Sequence, residues 1–391
     1  MLRLKPRRAY GSNVPLSARM SNSGVKFVPI NYTWYDMTMQ QTIRYTTTRD
    51  QVRLAWASSG SGPPMVKASN WLTHLEYDWE SPVLRHWVRF LSRHFSLIRY
   101  DERGCGLTQR SVESVTIDHW IDDLEDVIEA ARPPRPFALI GISQGACACI
   151  EYAVRHPERV SHLILYGGYV RGWTLHKNPE HVREGRAMVE LTELGWGRQD
   201  PIYRRLLTKR FLPEGSEEQM QWFDELCVRS VSPEMAARLL QSRGEADVSA
   251  LLPSVKVPTL VAHANGDQIS PLSQGQRLAE GIPGAQFVML DSHNHILLEH
   301  EPAWQRFCEA VLDFTGVRSQ AEDELFRSLS EREREILGKL VSGMTNAEIG
   351  RLLFISDKTV RNQLTRIYEK LGVSSRSQAI VFARDHGFGV T

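Results

Sequence analysis

Cysteine is scarce, long hydrophobic runs are absent, and neither sign of charge dominates. The five cysteines, Cys105, Cys147, Cys149, Cys227 and Cys308, form no C-x-x-C pair, which argues against a disulfide framework and against a cysteine-ligated zinc site. No apolar stretch approaches the roughly 20 residues of a membrane helix, and the first residues lack the apolar core of a secretory signal. Lysine and arginine number 47 against 46 acidic residues, a formal net charge of +1, so any attraction to nucleic acid must come from a local patch. These absences lead us to expect a cytoplasmic protein without metal, cofactor or membrane contact.

What is present is enough for a sizeable core. Hydrophobic residues make up 42% of 391 and charged residues 24%, a globular balance at a length that suggests two domains. Residues 1–40 mix basic and turn-forming types without periodicity and read as a disordered basic tail. From about residue 41 to 315, short apolar runs such as "FALIGIS", "VSHLILYGG" and "PTLVAHANGD" alternate with helical periods. That rhythm predicts a mostly parallel sheet covered by helices. Between about 172 and 252 the strand signal gives way to helix-compatible sequence, read as a helical lid. Residues 316–328 read as a linker. Residues 329–391 read as a separate domain of four short helices with capping residues between them.

The segment "ALIGISQGACACIEYA" sets Ser143 between Gly141 and Gly145, after a strand signal and before a helix signal. A strained strand-to-helix turn that exposes a nucleophilic serine needs glycines in those places. A serine hydroxyl is a weak nucleophile unless a histidine takes its proton and an acid orients that histidine. Asp267 follows "TLVAHANG", and the stretch "DSHNHILLEHEP" after the next strand signal offers His293 and His295 as bases. Trp71 lies in an aromatic-rich segment with His74, Tyr77 and Trp79, and is the aromatic chosen for a ligand pocket.

With these residues in view, positions 41–315 resemble an α/β-hydrolase domain. "DERGCGLTQR" resembles its D-x-R-G-x-G-x-S loop, "HPERVSHLIL" the strand after the nucleophile helix, and "NGDQISP" the acid turn. The resemblance implies an α/β hydrolase fold with Ser143, Asp267 and His295 as the triad, because the family pattern after the base matches "HILLEHEP". It also implies backbone N–H groups of Trp71 and Gln144 as oxyanion donors. The family's usual His-Gly after the third strand is missing here, where the chain reads "VKASNWLTHLEYDW".

In the C-terminal part, "TNAEIGRLLFISDKTVRNQLTRIYEKLG" has the form of a helix-turn-helix. Thr345 or Asn346 caps a first helix with an apolar face of Ile349, Leu352 and Leu353. Ser356 caps a second helix with a stripe of Val360, Leu364, Ile367 and Leu371. The other face carries Lys358, Thr359, Arg361, Asn362, Gln363 and Arg366. From Arg351 to Arg376, six basic residues stand against two acidic ones, a local net charge of +4 in a nearly neutral chain. Residues 329–387 closely resemble a LuxR-type DNA-binding domain through "LSEREREIL", "GMTNAEIGRLLFIS", "KTVRNQLTRIYEKLGV" and "SRSQAI". This implies double-stranded DNA as partner and a homodimer joined through the last helix. The expected whole is a transcription regulator whose hydrolase-like domain binds a small apolar ester or lactone. The alternative is an active serine esterase or lactonase tethered to a DNA-binding module.

Overall fold

In a computed structural model of the chain, residues 40–317 and 328–385 are described. The tail reading and most of the linker reading lie outside these residues. The strands are β1 (Thr42–Thr47), β2 (Arg53–Ser59), β3 (Pro64–Lys67), β4 (Ser96–Tyr100), β5 (Phe137–Ile142), β6 (Val160–Tyr166), β7 (Thr259–Ala264) and β8 (Gln286–Leu290). They form one sheet in the order β1-β2-β4-β3-β5-β6-β7-β8. Pairs β1–β2 and β2–β4 are antiparallel, and every pair from β4–β3 to β7–β8 is parallel. Strands β5 and β7 are buried at every residue, as their unbroken apolar character requires of parallel strands covered on both faces.

Helices α1 (Leu75–Glu80), α2 (Arg85–His94), α3 (Ile117–Ala131), α4 (Gly145–Arg155), α9 (Leu272–Gly281) and α10 (Pro302–Thr315) accompany the sheet. Between β6 and β7 the chain leaves it for α5 (Pro179–Gly195), α6 (Ile202–Phe211), α7 (Glu217–Ser230) and α8 (Pro233–Glu245). Side-chain caps start three of these four: Asn178, Ser216 and Ser232 accept from the N–H groups of Glu180, Gln219 and Met235. The fold is that of an α/β hydrolase with a helical insertion.

The C-terminal helices are α11 (Glu331–Val341), α12 (Asn346–Leu353), α13 (Asp357–Leu371) and α14 (Arg376–Asp385). Ser330 with Glu333 and Thr345 with Glu348 form reciprocal capping boxes, and Ser356 accepts from the Thr359 N–H. Their apolar faces make a core of their own, with Ile336, Leu337, Ile349, Val360, Leu364 and Ile367 buried. One expectation is corrected here. Leu352 is 48% exposed; the buried third position of α12 is Gly350, where an added Cβ would stand 2.8 Å from the Ile355 carbonyl oxygen. The tight turn brings that backbone against the helix, so only a glycine fits.

Candidate active site and nucleic-acid interface

The turn from β5 into α4 holds Ser143 at φ +54°, a left-handed conformation uncommon outside glycine. A Cβ at Gly141 would lie 2.7 Å from Ala146 backbone atoms, and one at Gly145 would lie 2.7 Å from the Ser69 carbonyl oxygen. Both glycines are therefore steric necessities. The turn is pinned by the Ser143 N–H, which donates to the Tyr166 carbonyl at 2.9 Å.

Asp267 lies just beyond β7, and His295 beyond β8. His295 Nδ1 is 2.6 Å from Asp267 Oδ2, while Asp267 Oδ1 accepts from the N–H groups of Ile269 at 2.8 Å and Ser270 at 2.9 Å. An ionised carboxylate only accepts, so Nδ1 donates to it, which leaves Nε2 as the ring nitrogen able to take a proton. Nε2 is buried without a hydrogen-bond partner, and no hydrogen bond joins it to Ser143 among the described residues. Burial alone would raise the Asp267 carboxyl, but His295 and the Ser270 N–H outweigh it and hold the group below the usual carboxylate range.

That depression has a pH signature. A carboxyl whose folded pKa lies below its unfolded value stabilises the fold above the unfolded pKa, and the contribution disappears as pH falls through the folded one. Asp267→Asn should therefore cost on the order of 2 kcal/mol at neutral pH, as for hydrogen bonds to a charged group. The deficit should shrink below about pH 4, where the unfolded carboxyl titrates. Urea denaturation of both proteins across pH 3–7 checks this; a deficit independent of pH would refute it.

A cavity of about 620 Å³ opens over Ser143. Ser143, Trp71 and Gln144 line it together with insertion residues such as Trp173, Phe211 and Arg243. The backbone N–H groups of Trp71 and Gln144 make no hydrogen bond among the described residues. His295 and Asp267 are not in the wall; Phe211, which is, packs edge-on against the His295 ring at 5.3 Å. The alternative base, His293, is turned outward, with its side chain 63% exposed and Nδ1 2.8 Å from Glu214. His74 caps α1 and Tyr77 stacks on Trp222; neither residue reaches the cavity, and nor does Trp79.

The sequence reading missed Arg243 and its partner. Arg243 Nη2 contacts both oxygens of Glu102, at 3.0 and 2.7 Å, and both residues are buried. Burial pushes the Glu102 carboxyl up against the pull of Arg243. The guanidinium carbon also sits 4.9 Å from the centre of the Trp71 ring. The partners are 141 positions apart, so no local pattern announces the pair.

In the helix-turn-helix, Lys358, Thr359, Arg361, Asn362 and Arg366 are exposed along one side of α13, with Gln363 half-buried. Thr345 is exposed but engaged with Glu348, and Asn346 accepts from Arg376 at 3.3 Å. Two of the six basic residues serve the fold instead of the surface: Lys370 donates to Glu333 at 2.6 Å, and Arg376 reaches Asn346 and the Met344 carbonyl. Arg351, Lys358 and Arg366 make no ion pair among the described residues, whereas Arg361 pairs with Asp357 one turn back.

Residues 83–303 match the family described as Serine aminopeptidase, S33, over more than half of the chain. The chain belongs to this α/β-hydrolase family. Residues 327–383 match the luxR family of bacterial regulatory proteins, so this α/β hydrolase carries a LuxR-type DNA-binding domain. The AB hydrolase superfamily protein YisY of Bacillus subtilis is 26% identical over 253 residues, 64% of this chain and 91% of that protein. The transcriptional regulatory protein LiaR of Bacillus subtilis is 49% identical over 134 residues, 34% of this chain and 63% of LiaR. Among solved structures, a hydrolase from Pseudomonas aeruginosa superposes with a TM-score of 0.58 at 22% identity, over 71% of this chain and 99% of that one; at that identity the likeness shows the fold. No helix among the described residues is long and apolar enough to cross a membrane.

Proposed function

We propose that this protein is a one-component, cytoplasmic transcription regulator whose hydrolase domain, residues 41–315, binds a small ester or lactone and whose domain 329–391 reads DNA as a homodimer. The observation that carries the reading is the presence, in one chain, of a cavity over Ser143 and an exposed, largely unpaired basic helix face. Regulation follows if the ligand binds one arrangement of the dimer more tightly than another; equal affinity for both would change nothing. In the DNA complex Lys358, Arg361 and Arg366 neutralise phosphates, while Thr359, Asn362 and Gln363 approach base edges, with Thr345 and Asn346 at the backbone. The helix α14 supplies the dimer contact, and a two-fold dimer reads a pseudo-palindromic site.

Selection from a random duplex pool tests this reading. The full chain should enrich one site and bind it at least about a thousandfold more tightly than random duplex at physiological salt. On the selected site, Lys358→Ala should weaken all sequences alike and lower the salt slope by about 1, whereas Asn362→Ala should relax preference at one base pair by roughly 1–3 kcal/mol. No preference over random duplex would sink the regulator reading.

A second reading, serine hydrolysis in the same cavity, is favoured by the Asp267–His295 contact, which leaves Nε2 able to take a proton. Ser143 Oγ would attack the acyl carbon as its proton passes to Nε2, with the developing oxyanion facing the N–H groups of Trp71 and Gln144. The alcohol leaves with that proton, and water then releases the acid and frees the serine. Both readings use one cavity and one triad, so they differ in turnover alone.

A further inference from the structure

Several polar atoms around the cavity are buried without a partner: Nε and Nη1 of Arg243, Nε1 of Trp71 and Oε1 of Gln144. An unpaired buried donor is costly, and folds tolerate one chiefly where something else satisfies it. The donors here are grouped, because the Arg243 guanidinium lies over the Trp71 ring. The other two arginines of the wall have substantially exposed side chains and each faces a carboxylate: Arg171 Nε lies 3.0 Å from Asp247, though without a hydrogen bond, and Arg210 pairs with Glu184 at 3.0 Å. Arg243 is only 8% exposed, and Glu102 occupies Nη2 alone.

We infer that the ligand of this cavity carries a carboxylate, bound by Arg243 together with the indole N–H of Trp71, in addition to its reactive ester or lactone carbonyl. This rests on the ligand-binding reading above and narrows the small ester or lactone to one that also carries an acid, in place of the apolar molecule expected from the sequence. The chemistry follows from the donor set. A guanidinium offers five N–H groups in a rigid fork, and a carboxylate offers two oxygens able to take several of them. Glu102 anchors one side of the fork and leaves Nη1 and Nε, both buried, without a hydrogen-bond partner. A neutral ester tail presents fewer and weaker acceptors to those donors, and an ammonium group would be repelled. Apolar neighbours on the wall, Met188, Leu207 and Leu240 among them, suit the methylene chain between the two ends.

The test uses the full chain bearing Ser143→Ala, so that binding is read without turnover. Monomethyl esters of linear dicarboxylic acids from succinic to sebacic are titrated by calorimetry at pH 7, each beside its neutral dimethyl ester. At least one monoester should bind about tenfold or more tightly than its diester, the scale of a charge-assisted contact. Adding Arg243→Gln with Glu102→Gln, which leaves no uncompensated charge, should bring the pair within about twofold. Should that variant fail to fold, Arg243→Lys keeps the charge but loses the fork, and the preference should fall at least about threefold. Diesters binding as tightly as monoesters throughout, or no binding by either set, would overturn the assignment. The regulator reading fails separately: tight monoester binding with no effect on DNA affinity would reject it and leave the carboxylate in place.

Discussion

Exposed to a fluorophosphonate, the full chain should gain a single adduct at Ser143, and Ser143→Ala should gain none. The expectation rests on the left-handed turn that presents Ser143, on its place in the cavity wall, and on a histidine whose Nδ1 is committed to Asp267 at 2.6 Å. Without a base to take its proton, a serine hydroxyl reacts slowly. His295→Ala should therefore reduce the labelling rate by about a thousandfold or more, and Asp267→Asn by a similar order through the wrong tautomer. His293→Ala should leave it unchanged, since that ring faces solvent beside Glu214. Intact-mass spectrometry over a time course measures all four variants. Labelling that persists in Ser143→Ala would reject the assignment, and absence of labelling in the folded wild type would leave the cavity a receptor pocket without an activated serine.

Leu364→Ala should abolish DNA binding while fluorophosphonate labelling continues at the wild-type rate. Leu364 is 4% exposed and packs in the small C-terminal core with Leu337, Ile349, Val360 and Ile367. A buried leucine cut to alanine costs about 2–5 kcal/mol. A core of this size rarely supplies more than about 3–5 kcal/mol, so the substitution removes most of what holds α13 in place. Amide hydrogen exchange should then lose its protection across α11–α14 and keep it in β5 and β7. Retained DNA affinity would show that the small core survives without the Leu364 side chain, and loss of protection in both regions together would show that the two cores do not unfold independently.

Ser143 with its glycines was legible because the requirement is local: adjacent residues collide unless positions 141 and 145 lack a Cβ. Asp267 and His295 were legible from the chain order of strand ends, and the match to "HILLEHEP" favoured His295 over His293 without any view of where either ring points. The capping residues Thr345 and Ser356 were legible for the same local reason. Leu352 was misplaced because helical periodicity cannot tell that the tight turn fills its side with Gly350 and backbone. Arg376 and Lys370 entered the count of DNA-facing charge because composition does not show that each is held by a partner more than 25 residues away.

The sequence by itself determined the two kinds of unit, the strand-to-helix turn at Ser143 and the capped helices around residues 345–371, since each depends on sterics and hydrogen bonds between near neighbours. Only the tertiary structure decided that Phe211 covers His295, that His293 turns outward, and that Arg243 meets Glu102 beside Trp71. These contacts join distant segments, and a buried charge is committed to one partner only once packing has removed the water that would otherwise serve it.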